Sequence, residues 1–159
     1  MKIHSEIPCW ITLAHLPRWT AERVNQLTLS ILHEHGMSLE EFFGLDSHDW
    51  RKRFSLTEKE AADLLQAKKQ LPNNSFLAED LLSQGFRVIT LNDPAYSDSL
   101  KRNLTIKRCP LLLYIKGNPG LLQEPAIAIV GSRNASQTSL RFTDATAKNA
   151  VKNGRVIVS

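Results

Sequence analysis

AIAIVGSRNASQTSLRFTDATAKNAVKNGRVIVS, residues 126–159, is the stretch whose reading decides the fold. AIAIV (126–130) and RVIVS (155–159) are short apolar runs without polar alternation, the pattern of strands buried on both faces of a parallel sheet. Between them Leu140, Ala147 and Val151 share a helical face, and Gly154 supplies the stop. Strand, loop, helix and strand in that order make one βαβ unit.

Working back from this unit, LLLYIK (111–116) is another apolar run, closed by the turn signal Gly117-Asn118-Pro119-Gly120. FRVITL (86–91) is short and β-branched, and a helix over about 75–84, stopped by Gly85, precedes it. Four strands with two helices to cover them are an incomplete doubly wound sheet, because such sheets carry helices on both faces. The expectation is therefore the front part of a longer domain, or a naturally shortened product.

Further back the periodicity is helical. TAERVNQLTLSILHEH (20–35) places Val24, Leu27 and Ile31 on one stripe, widened by Leu32, with Gly36 as the stop. Ser38 and Glu41, then Thr57 and Glu60, have capping-box spacing ahead of apolar positions. Pro72 is expected to close the second of these helices, and Asn73-Asn74-Ser75 to punctuate the join. The first seventy residues read as four or five short helices packed together.

Composition bounds the function classes. The chain has 159 residues, 42% of them apolar and 23% charged, which is globular and not disordered. It has no apolar run of membrane-span length and no secretory signal, and its two cysteines, Cys9 and Cys109, form no disulfide framework. A cytoplasmic location is expected, with no membrane partner. Charge is uneven: residues 1–70 carry a net −1 and residues 71–159 a net +5. Lys101, Arg102, Lys107, Arg108 and Lys116 follow one another without an intervening acid. That half suits an anionic partner.

The loop Gly131-Ser132-Arg133-Asn134 is the candidate site. It follows the carboxyl end of a parallel strand and opens a helix, where open α/β sheets bind ligands. Gly131 lets a ligand approach the backbone, the helix N-terminus favours an anion, and Arg133 offers a planar fork to phosphate. The bland alternative is a turn whose arginine pairs with a nearby carboxylate. GxxxxGK[ST] and GxGxxG are both absent. His33 and His35 are two apart on a helix and do not face each other, so no metal site is expected. Trp10, Trp19, Trp50, Tyr96 and Tyr114 read as packing residues, although an exposed tryptophan could stack a base. No nucleophile–base pair or two-carboxylate site is visible, so neither a catalytic role nor a cofactor is expected.

GFRVITLNDPAYSDSL, CPLLLYIKGN and AIAIVGSRNAS, in that order, resemble the DNA-processing protein A (DprA/Smf) family over roughly residues 80–159. The resemblance implies an α/β fold: a small all-helical, SAM-like domain (1–72), then a truncated Rossmann-like DNA-binding domain with an incomplete parallel sheet (73–159). It also implies single-stranded DNA binding in natural transformation (competence) and DNA recombination. The chain would protect DNA and assist a RecA-type recombinase, with Gly131, Ser132, Arg133 and Asn134 as nucleic-acid contacts. Departures are Thr138-Ser139 for a usual Tyr-Gly pair, and Ser97 and Cys109 for usual prolines. The family's glycine-rich second loop would begin where Ser159 stands. In the helical part His15-Leu16-Pro17-Arg18-Trp19 replaces the Gly-x-Gly turn of a helix-hairpin-helix, so residues 1–70 read as a packing or protein-interaction unit. Two rivals remain: a phosphate- or nucleotide-binding module using the same loop, and a helical interaction module beside an inactive sheet. An open strand edge leaves self-association available.

Overall fold

A computed structural model describes residues 3–159. The chain divides into two compact units, one ending at Gly117 and one running from Asn118 to Ser159.

The first unit opens with α1 (Ile3–Ala14), α2 (Ala21–Leu29), a π-helical turn (Ser30–Glu34), α3 (Leu39–Gly44), α4 (Ser47–Phe54) and α5 (Glu58–Lys68). Thr20 caps α2, and Val24, Leu27 and Ile31 are buried as their spacing predicts. Both expected capping boxes form: Ser38 with Glu41 starts α3, and Thr57 with Glu60 starts α5. Gly36, at φ +60, ends the π-helical turn in a conformation that β-carbon sterics make costly for other residues. Phe42 and Trp50 stack at 5.6 Å, and the indole N–H of Trp50 donates to the Phe42 carbonyl at 2.8 Å, which satisfies it in a dry core.

Two expectations for this region change. The helix α1 was not legible, although Ile7, Trp10, Ile11 and Leu13 are all buried. IPCWITLAHL is too continuously apolar to show a stripe, and Pro8 lies inside the helix. Pro72 opens a helix instead of closing one: α6 runs Leu71–Ser83 with the proline in its first turn, where a missing N–H costs nothing. The polar run that follows is helical because its side chains find partners. Asn74 donates to the Thr12 hydroxyl at 2.7 Å, and the Ser75 hydroxyl donates to the Leu71 carbonyl at 3.0 Å. The 72/73 join thus falls in the first turn of α6.

Strands β1 (Phe86–Thr90) and β2 (Leu112–Lys116) complete this unit with α7 (Asp98–Arg108) between them. They pair antiparallel, Phe86 opposite Lys116 and Thr90 opposite Leu112, where a parallel sheet was expected. The connection explains the difference. Leu91 N–H donates to the Leu111 carbonyl at 2.8 Å, and the Tyr96 hydroxyl donates to the Pro110 carbonyl at 2.6 Å. The excursion therefore closes on itself and returns to the strand end it left, as a hairpin with a helical insertion. Ser97 and Cys109 have local uses: the Ser97 hydroxyl accepts the Leu100 N–H at the start of α7, and Cys109 is buried against the Tyr96 hydroxyl at 3.3 Å. Ala78, Val88, Leu111 and Leu112 share one core with the helices.

The second unit holds a 3-10 turn (Pro119–Leu122), β3 (Ala126–Ala128), α8 (Gln137–Lys152) and β4 (Val156–Val158). β3 and β4 are parallel, with Ala126, Ile127 and Ala128 opposite Val156, Ile157 and Val158. The βαβ unit is therefore present as read. Its strands are not buried on both faces, since Ala126–Ala128 are all exposed. The architecture is α/β with a helical N-terminal part, and its described strands form two two-stranded sheets, not one.

Candidate nucleic-acid interface

The site is built by the way β3 gives out. Ile129 N–H still bonds the Val158 carbonyl at 2.8 Å, and beyond it the chain leaves the ladder. Residues 131–134 form the connection to α8. Within it the Ser132 hydroxyl accepts the Asn134 N–H at 3.1 Å, a local turn that such hydroxyls favour. Ser136 is the N-cap of α8: its hydroxyl accepts the Ser139 N–H at 3.2 Å and bonds the Ser139 hydroxyl at 2.9 Å. Ser139 is thus engaged in the cap.

Gly131, Ser132, Arg133 and Asn134 are all exposed and consecutive on this one loop. At Gly131 the backbone is not left-handed, and a β-carbon placed there would meet nothing within 4 Å. The fold itself therefore does not require glycine; what glycine leaves is bare backbone open to an approaching group. Among the described residues no carboxylate pairs with Arg133, so the turn does not use it structurally. The unit around it has five Lys/Arg against Glu124 and Asp144. Asp144 is engaged by Lys148 at 2.7 Å, which leaves the local field positive.

Sequence reasoning missed Val130. It reads as the last residue of a strand, but β3 ends two residues earlier and Val130 is 90% exposed immediately before the loop. Phe142, in the first half of α8, is 73% exposed.

Burial pushes the Cys9 thiol up to about 12, with the Glu40 and Glu6 carboxylates adding to it, so it carries no thiolate at neutral pH. Burial likewise raises the Tyr96 phenol, and Cys109 reinforces the shift. Among the described residues no three His, Cys, Asp or Glu side chains gather as a metal site, and no helix is long and apolar enough to cross a membrane.

The family model described as DNA recombination-mediator protein A covers residues 87–159, a little under half of the chain, and includes the whole candidate loop. No curated protein and no solved structure matches the chain.

Proposed function

We propose, for a chain that carries the DNA recombination-mediator protein A family segment over residues 87–159, that it binds single-stranded DNA without catalysis through the loop Gly131–Asn134. The family resemblance seen in the sequence holds over that span, and its description puts the segment in DNA processing and recombination. The observation that carries the reading is Arg133: an exposed guanidinium without a carboxylate partner among the described residues, two residues from a glycine that the fold does not need.

In this reading the fork of Arg133 takes a backbone phosphate in a bidentate contact. The bare backbone at Gly131 lets the phosphate approach, and Ser132 and Asn134 add hydrogen bonds. Such contacts position a strand without reading its sequence. The wider role is protection of single strands and their handover to a RecA-type recombinase in the cytoplasm. Residues 1–72 supply the SAM-like helical part, which shares the core of the first unit, and the Rossmann-like DNA-binding part of 73–159 carries the loop in the unit that begins at Asn118.

Fluorescence anisotropy with labelled single- and double-stranded oligonucleotides, comparing the wild type with Arg133→Ala, tests the reading. Single-strand preference and a loss of about tenfold or more in the variant are expected, since a charge-assisted contact contributes about 1.5–3 kcal/mol. Equal affinity of both proteins for single strands would overturn the assignment to this loop. Displacement of the oligonucleotide by low micromolar free nucleotide would favour the small-ligand reading.

A further inference from the structure

The first unit contains a cleft of about 250 Å³ between the α1–α2 turn and β2, lined among others by His15, Trp19, Val24, Pro110, Leu112 and Tyr114. Its walls differ in kind from the core. Trp10 and Trp50 are at most 4% exposed and pack the interior, whereas Trp19 is half-buried and Tyr114 is 37% exposed. Both rings are held by their polar ends: the Trp19 indole N–H donates to Asp63 at 3.3 Å, and the Tyr114 hydroxyl bonds the His15 ring at 3.0 Å. Both rings line the cleft with their edges fixed; the His15 ring lies nearly parallel to Tyr114 at 6.2 Å and Arg23 stands over one face of Trp19, so a flat ring would stack on the faces these leave.

The surroundings are cationic. The Arg23 guanidinium stands 5.7 Å from the centre of the Trp19 ring, and Lys107 and Arg108 end α7 directly before Cys109 and Pro110. The acids nearby are engaged: Asp63 by Arg18 at 2.9 Å, Glu60 by Arg23 at 2.6 Å, and Glu22 by Lys107 at 3.7 Å. Arg108 is exposed and has no carboxylate partner among the described residues. Arg18, Arg23 and Lys107 are thus each paired with an acid, and Arg108 is left to meet a phosphate; aromatic faces and such a cation are the two components of a single-strand platform, stacking for the base and charge for the backbone.

We propose that this cleft takes one unpaired base of a DNA single strand, stacked against Trp19 and Tyr114, with the adjoining phosphate on Arg108. The first unit is then a second contact for single-stranded DNA, built jointly by the α1–α2 turn and β2. This rests on the single-strand reading above, but it uses none of the Gly131–Asn134 loop.

Because Trp10 and Trp50 are buried, quenching of tryptophan fluorescence by oligodeoxythymidylate reports mainly Trp19. The experiment follows quenching and labelled-oligonucleotide anisotropy together in the full chain, for the wild type, Trp19→Phe, Tyr114→Leu and Arg133→Ala. Photocrosslinking with an iodouracil-substituted strand runs alongside. Expected are quenching that saturates with anisotropy, crosslinks at Trp19 or Tyr114, and an affinity about fivefold or more lower in Tyr114→Leu. Arg133→Ala should keep the crosslink position while binding more weakly. Tyr114→Leu keeps an apolar residue on a half-exposed strand, so its folding can be verified by circular dichroism. Binding with unquenched fluorescence and crosslinks elsewhere would overturn the cleft and leave the loop reading standing. Absence of any binding by the wild type would overturn both.

Discussion

Arg133 and Gly131 separate what the fold needs from what a ligand would need. A β-carbon at Gly131 meets no neighbour and the backbone there is ordinary, so Gly131→Ala should leave the melting temperature unchanged or slightly raised. The same methyl stands where a phosphate would approach, so single-strand affinity should fall severalfold; calorimetry and anisotropy on one sample check both. Glu60 is the opposite case, a residue tied into the fold. The Arg23 hydrogen bond, helped by Thr57, lowers its carboxyl to about 2 from an ordinary 4.5. Its stabilising effect is therefore complete above about pH 4.5 and is lost as pH falls toward 2. Glu60→Gln should show a shallower loss of stability over that window in acid denaturation. At neutral pH it should cost about 1 kcal/mol, because both partners are partly exposed.

Among the elements, those with a local chemical signature were readable and those set by tertiary partners were not. Both capping boxes formed as their spacing required, because the bonds that make them lie within four residues. Thr57→Ala should accordingly destabilise the chain by about 1 kcal/mol, measurable in urea. The helix α6 was half-read, since the partner of Asn74 is Thr12, far back in the sequence. The hairpin-like return of β2 was misread as a parallel strand for the same reason. The Tyr96 hydroxyl bonds the Pro110 carbonyl across the excursion, a contact that no periodicity reveals. The loop after β3 was placed at the head of α8 from its glycine and serines, which are local signals, although the N-cap itself, Ser136, was not singled out. Whether any carboxylate would reach Arg133 was not legible, since that depends on contacts across the fold.

At the scale of the molecule the two units differ in what holds them. The first has a continuous core from α1 to β2; Leu64, fully buried within it, should cost about 2–5 kcal/mol on truncation to alanine. In the second, Ala150 is the one buried residue of α8, and Val130, Phe142 and Val151 lie exposed. Amide exchange should therefore be much faster in β3 and β4 than in α1 and α2, as local stability follows buried apolar contact. Comparable protection in both units would contradict this.

The central claim is that the βα loop of the second unit holds a DNA backbone. Residue-resolved NMR titration with a short oligodeoxythymidylate tests it most directly. The amides of residues 131–139 are expected to shift first, and these shifts to shrink steeply with added salt and vanish in Arg133→Ala. Strand binding that leaves those amides unmoved would contradict it.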